Sequence, residues 1–189
     1  VFIKPQIHPL QVTTEITVQN ISDGITLQQE IRKKGEGAYS PLGQKPVKQT
    51  NVQTVFPVQE IRLWEPENPY LYEIRTSLWK NGEMIDARVD ITGFREAGFR
   101  KDGFYLNGKK LRLRGLNRHQ SYPYVGYAAP ASMQIFDADI LKKELGVNAV
   151  RTSHYPQSQD FIRRCDEIGL LVFTEFPGWQ HIGDEEWKR

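Results

Sequence analysis

Residues 147–176 read VNAVRTSHYPQSQDFIRRCDEIGLLVFTEF, and this stretch decides the fold of the second half of the chain. A short apolar run, GVNAV, breaks off in Arg151, Thr152, Ser153 and His154. A Tyr-Pro step follows, then SQDFIRRCDEIG, which reads as a helix. Ser158 stands at its N-cap position, Asp160 in its first turn, and Gly169 at its end. A second apolar run, LLVFTEF, comes next. Strand, helix, strand is the unit of a parallel sheet. A buried strand that finishes in four hydrogen-bonding side chains is either an ordinary loop edge or the carrier of a site.

Working outward, SMQIFDADILKKELG places Met133, Phe136, Ile140, Leu141 and Leu145 on one helical stripe, closed by Gly146. Upstream, FYLNGKKLRLRGLN holds an Asn-Gly hairpin and leads into a strand over residues 110–116. The succession strand, helix, strand, helix, strand is that of a parallel sheet or a βα barrel. Residues 181–189, HIGDEEWKR, read as the start of a third helix.

The first half has another rhythm. VFIKPQIH, TTEITVQNI, ITLQQEIR, residues 51–64, PYLYEIRTSLW and MIDARVDI alternate apolar and polar side chains. Asn81-Gly82 between two such runs signals a type I′ hairpin, because both positions take positive φ. About seven short strands without a helical period suggest an immunoglobulin-like sandwich. The Gly/Pro-rich segment EGAYSPLGQKPVKQ reads as a loop. The expected division is a sandwich over residues 1–94 and a parallel αβ part over residues 95–189.

The chain has 189 residues and a net charge of +2, from 25 basic and 23 acidic residues. That balance argues against nucleic-acid and membrane partners. No apolar run reaches the length of about 18 residues that a membrane helix needs, and no signal-peptide pattern opens the chain. The first residue is Val1, and both ends read as cuts within a longer protein. The single cysteine, Cys165, excludes an internal disulfide; it shares a helical face with Phe161 and Ile168 and reads as a small buried hydrophobe.

In a βα barrel the chemistry sits at the C-terminal ends of the strands. Those ends carry Asn117, Arg118 and His119; then Arg151 and His154; then Glu175, followed by Trp179 and His181. Tyr122, Tyr124, Tyr155 and Trp187 are close in sequence. Aromatic faces beside Arg, Asn and His suit a ligand with many hydroxyls and apolar C–H faces, such as a sugar. Plainer readings stand beside this one. His154 can cap a strand, Arg151 and Glu175 can form a structural ion pair, and Trp179 can anchor a loop. His119, His154 and His181 stand singly, without the paired histidines or clustered carboxylates of a barrel metalloenzyme.

KLRLRGLNRHQ, GVNAVRTSHYP and CDEIGLLVFTEFPGW together resemble glycoside hydrolase family 2, the family of β-galactosidases, β-glucuronidases and β-mannosidases. LWEPENPYLYEIRTSL followed by GFRE resembles the end of that family's immunoglobulin-like domain. The resemblance covers essentially the whole chain and leans toward bacterial β-galactosidases. It implies a multi-domain β plus α/β fold: an immunoglobulin-like β-sandwich followed by the first three βα units of a truncated TIM (β/α)8 barrel. It implies a retaining glycosidase acting on terminal β-glycosides, with two glutamates about 5–5.5 Å apart as nucleophile and acid/base. In the family these come from later strands, and the acid/base follows an asparagine. No Asn-Glu pair occurs here, so both are expected beyond Arg189 and these residues alone are expected to be inactive.

By the same resemblance His154 would bond sugar hydroxyls and Arg151 would hold the nucleophile's carboxylate. Asn117, Arg118, His119, Tyr122, Glu175 and Trp179 would line or support the pocket. Tyr122 stands where the galactosidase branch has a sugar-touching histidine, which departs from a galactose pocket. Some relatives bind a metal through Glu-x-His after the third strand; Trp179-Gln180-His181 does not match, so no metal and no cofactor is implied. The implied partners are a β-linked sugar and the remainder of a parent chain, with self-association left open. The alternative is a non-catalytic carbohydrate-binding or structural sandwich module.

Overall fold

A computed structural model describes residues 1–176 and 181–187. The chain packs into two compact units, Val1–Glu65 with Tyr70–Lys110 and Pro66–Pro69 with Leu111–Arg189.

The first unit opens with β1 (Phe2–Ile7), β2 (Leu10–Thr17), β3 (Thr26–Lys33), β4 (Ser40–Pro46), β5 (Asn51–Pro57), β6 (Tyr72–Lys80) and β7 (Glu83–Thr92). They form two sheets, ordered β1-β2-β5 and β4-β3-β6-β7, with antiparallel pairing throughout. This is the immunoglobulin-like sandwich that the alternation implied. Asn81 and Gly82 have φ of 52° and 82°, as a type I′ turn requires. One expectation fails: the Gly/Pro-rich segment after Glu36 contains β4, not only loop. Both of its prolines, Pro41 and Pro46, sit on a strand at the sheet's edge, where a missing N–H costs little.

The interior of the sandwich is apolar at both ends and polar in the middle. Val12, Ile31, Val58, Tyr72, Ile74 and Phe94 form one cluster; Ile16, Val18, Ile25, Leu27, Val47 and Val52 form the other. Between Val12 and Ile16 on β2 lies Thr14, and between Leu27 and Ile31 on β3 lies Gln29. The Thr14 and Thr54 hydroxyls are 2.7 Å apart, Thr54 donates to Gln29 Oε1 at 2.7 Å, and Gln29 Nε2 donates to Thr76 at 3.0 Å. All four side chains are buried, so one hydrogen-bonded bridge ties the two sheets.

Three short strands follow, β8 (Ala97–Arg100), β9 (Gly103–Leu106) and β10 (Lys109–Leu111), as a small sheet ordered β10-β9-β8. The second Asn-Gly hairpin holds here too, with φ of 50° at Asn107 and 77° at Gly108.

The second unit contains β11 (Gly115–Arg118), α1 (Ala131–Asp139) continued by a π-helical turn (Ile140–Glu144), β12 (Ala149–Thr152), α2 (Gln159–Ile168) and β13 (Leu171–Phe173). The strands are parallel in the order β11-β12-β13. A β-α-β-α-β run with adjacent parallel strands is how a TIM barrel begins. Ala138, Leu141, Val150, Phe161, Cys165 and Leu170 form the core between helices and strands.

The helix over 159–168 starts as read, with Ser158 Oγ accepting the Asp160 N–H at 3.3 Å. It ends at Gly169, φ 77°, where an added Cβ would stand 2.0 Å from the Pro66 carbonyl oxygen. Both conformation and space demand glycine there.

Three expectations for this unit are corrected. The strand over 110–116 is split. Asn148 Oδ1 takes the Arg114 N–H at 2.7 Å and Asn148 Nδ2 gives to the Arg112 carbonyl at 2.9 Å, so a side chain replaces the ladder over residues 112–114. The helical stripe is also different. Phe136 is 59% and Leu145 56% exposed, whereas Gln134, Ala138 and Leu141 face inward. Finally, residues 181–187 carry a turn, with Trp187 N–H bonded to Asp184, and no helix.

Candidate functional site

The register of the parallel strands sets the site. Asn117 pairs with Arg151, and Arg151 with Phe173, in one rung across β11, β12 and β13. Val150 packs into the helix layer and Thr152 is fully buried. Alternation then turns Arg151, and with it Asn117, to the opposite face. Glu175, two residues past Phe173, keeps the same parity. Thr152 fixes this end of the sheet, since its Oγ1 donates to the Phe173 carbonyl at 3.3 Å and accepts the Glu175 N–H at 3.2 Å.

Glu175 joins the other two strand-end residues. Arg151 Nε pairs with one of its carboxylate oxygens, and His154 Nδ1 lies 2.9 Å from the other. Arg151 Nη2 is also 3.3 Å from His154 Nδ1. One ring nitrogen cannot both donate to the carboxylate and accept from the guanidinium. The carboxylate can only accept, and its contact is the shorter. We therefore assign the proton to Nδ1, directed at Glu175, and treat the Arg151 contact as proximity.

Arg118 goes the other way. It is 5% exposed and directed into the helix layer. Its Nε and Nη2 give to Asp137 Oδ2 at 2.9 and 2.7 Å, Nη2 gives to Gln134 Oε1 at 2.7 Å, and Nη1 bonds Gln157. The guanidinium carbon lies 4.0 Å over the Phe161 ring. Tyr122 joins the same network. Its hydroxyl contacts Asp137 Oδ1 and lies 3.0 Å from the Met133 carbonyl. Burial first, and the Asp137 carboxylate second, push its pKa up to about 12. Arg118 and Tyr122 thus brace the site from behind.

His119 remains exposed, its ring 5.6 Å edge-on to that of His154 and 6.1 Å from that of Tyr155. The structure therefore brings Asn117, Arg151, His154, Glu175 and His119 to one end of the sheet. Trp179 lies outside the described residues. His181 is exposed beside Trp187, 6.1 Å away, and joins no other histidine. Among the described residues no three His, Cys, Asp or Glu side chains are grouped to hold a metal ion.

Sequence reasoning missed Gln134, Asp137 and Gln157. A helical spacing of three between Gln134 and Asp137 was the available signal, masked by the apolar residues around them. Ser153, one of the four strand-end side chains read from the sequence, has a buried hydroxyl with no hydrogen-bond partner among the described residues.

Residues 1–95 match the family model "Glycosyl hydrolases family 2", and residues 98–187 match "Glycosyl hydrolases family 2, TIM barrel domain". A β-galactosidase of Thermoanaerobacterium thermosulfurigenes is 61% identical over 132 residues, 70% of this chain and 18% of that protein. A β-galactosidase of Thermoanaerobacter pseudethanolicus is 48% identical over 192 residues, 98% of this chain and 25% of that protein. The chain thus spans a quarter or less of the length of these relatives. Among solved structures, an FMN-binding β-glucuronidase from Faecalibacterium prausnitzii L2-6 superposes with a TM-score of 0.79 at 33% identity, over 93% of this chain and 27% of that one.

Proposed function

This chain belongs to glycosyl hydrolase family 2, and on that premise we propose that residues 115–176 form the sugar-gripping part of a retaining β-glycosidase of the β-galactosidase type. The observation that carries the reading is the Glu175 carboxylate, which orients both Arg151 and His154 beside Asn117. Such a cluster offers fixed donors and acceptors for ring hydroxyls. The His154 imidazole contributes a hydrogen bond to a sugar hydroxyl, and the bond strengthens as the ring moves toward the oxocarbenium-like transition state. Arg151 has further N–H groups for the nucleophile's carboxylate and keeps it ionised.

Glu175 is engaged by two cations or donors and cannot supply both roles of a retaining pair. The nucleophile and the acid/base are assigned to chain outside these residues. We assign residues 1–94 to the sandwich and residues 95–189 to the barrel part, a division supported by family matches that end at 95 and resume at 98, whereas the compact units part between Lys110 and Leu111. The similarity to two β-galactosidases supports a terminal β-galactoside as the substrate.

The test uses the 189-residue chain. It is expected to release no 4-nitrophenol from 4-nitrophenyl β-galactoside. In NMR titration it is expected to bind the same glycoside weakly, and His154→Ala is expected to weaken that binding by about tenfold. Turnover by the chain alone, or unchanged binding by the variant, overturns the reading.

A further inference from the structure

The parallel ladder between β12 and β13 stops one rung short of the site, and a side chain takes over from it. Backbone pairing ends at Arg151 and Phe173. The next rung would set Thr152 opposite Thr174, and a residue so placed can bond the Phe173 carbonyl and the Glu175 N–H with its own backbone groups. Here the Thr152 hydroxyl makes both bonds, giving to the Phe173 carbonyl at 3.3 Å and accepting the Glu175 N–H at 3.2 Å. One hydroxyl thus stands in for a peptide unit. Past Thr152 the backbone stays with β11, the Ser153 N–H giving to the Arg118 carbonyl at 3.0 Å.

Packing alone does not call for that hydroxyl. Thr152 is fully buried, on the face where Val150 packs into the helix layer. Valine has the same branched shape and would fill the same space. Threonine adds one donor and one acceptor, and both go to the strand end that carries Glu175. The Glu175 carboxylate in turn meets Arg151 through one oxygen and His154 Nδ1, 2.9 Å away, through the other. A buried hydroxyl, a backbone N–H, a carboxylate and an imidazole therefore form one line of contacts from the closed side of the sheet to its open face.

We propose that Thr152 is a positioning residue for the strand-end cluster: its hydroxyl sets where the Glu175 carboxylate stands, and Glu175 thereby keeps the His154 proton on Nδ1. This role rests on the reading of Arg151, His154 and Glu175 as part of a sugar pocket. Thr152 touches no sugar itself. Glu175 lies two residues beyond the end of β13, and the hydroxyl holds its backbone where the ladder no longer does. The carboxylate is then in place for both partners before a sugar arrives. Without that hold the carboxylate shifts, Arg151 loosens, and the imidazole is free to turn or to move its proton.

The experiment follows the His154 Nδ1–H resonance in the 189-residue chain carrying isotope-labelled histidine, assigned by His154→Gln. Two pairs that differ by the hydroxyl are compared: wild type with Thr152→Val, and Thr152→Ser with Thr152→Ala. The second pair lacks the methyl group throughout, so the comparison does not depend on the valine variant folding. We expect the Nδ1–H signal in both chains that bear a hydroxyl and its loss from both that do not, with the α2 amide signals unchanged. Each loss of the hydroxyl is expected to weaken binding of 4-nitrophenyl β-galactoside about threefold to tenfold. A hydroxyl that only supports the fold would lower the urea midpoint and leave the Nδ1–H signal in place. If the signal persists in a folded chain without the hydroxyl while wild type binds the glycoside, the positioning role is wrong and the pocket reading stands. If wild type binds no glycoside, the pocket reading fails and the role with it, whatever the signal does.

Discussion

His154 Nδ1 lies 2.9 Å from the Glu175 carboxylate, so a residue just past β12 and a residue just past β13 act as one unit. A hydrogen bond to a charged group contributes about 1.5–3 kcal/mol net. Glu175→Gln is therefore expected to weaken β-galactoside binding by about tenfold or more. The check is a double-mutant cycle with His154→Ala, read by titration. A coupling term above about 1 kcal/mol marks one unit, whereas independent residues would add.

Arg118 and Asp137 make the opposite kind of pair, buried and turned from the open face. Removing one partner strands a charge in the helix layer. Arg118→Ala is expected to cost about 3–5 kcal/mol in urea unfolding of the barrel part. Replacing both, Arg118→Met with Asp137→Leu, is expected to restore part of that loss, because no ion is left unpaired while Gln134, Gln157 and Tyr122 still lose their partners. Equal losses in the single and double variants would show that packing, not charge, holds this corner.

Much of the barrel part was legible from local chemistry, and what was missed has a common cause. Ser158 and Gly169 announced α2 because caps are written in one or two residues. Asn81-Gly82 and Asn107-Gly108 announced their turns for the same reason. The face of α1 did not show, because Gln134 is drawn inward by Arg118, a residue 16 positions away, and Phe136 and Leu145 are left outside. The split strand over 112–114 depends likewise on Asn148, 34 positions beyond Arg114. Strand β4 was hidden by its prolines, which only an edge tolerates, and edge status is set by strand order. At the candidate site, the meeting of Arg151, His154 and Glu175 could be anticipated from strand ends, but the diversion of Arg118 and Tyr122 into the helix layer could not.

Cys165 is fully buried, and burial pushes its thiol from 9.0 up to about 12. The raised value means that the folded state holds the proton where the unfolded chain would release it. Stability from this group is complete below pH 9 and is lost as pH rises from 9 toward 12. The slope is about 1.4 kcal/mol per pH unit within that window. Tyr122, raised from 10.0, adds the same sign of loss above pH 10. Urea midpoints of the wild type and Cys165→Ala are expected to converge between pH 8.5 and about 11. A constant gap would contradict the assignment. Iodoacetamide at pH 8 is expected to leave the native thiol intact and to modify it in urea.

Gln29 is the hub of the polar bridge in the sandwich. Gln29→Ala is expected to cost about 2–4 kcal/mol by leaving buried hydroxyls without partners and a void beside them. Gln29→Glu at pH 7 is expected to cost more, since it places a carboxylate between apolar clusters. Chemical denaturation of the chain measures both.

That bridge also settles a question that apolar packing leaves unanswered. A strand that slides by two residues against its neighbour keeps every side chain on its proper face, so greasy interiors tolerate the error. Here such a slide would set Thr14 or Gln29 against a methyl group and orphan the hydroxyls opposite. The Thr14, Gln29, Thr54 and Thr76 set therefore works as a key. It admits one alignment of the two sheets and penalises its nearest impostors, even though it adds little to the strength of the correct one.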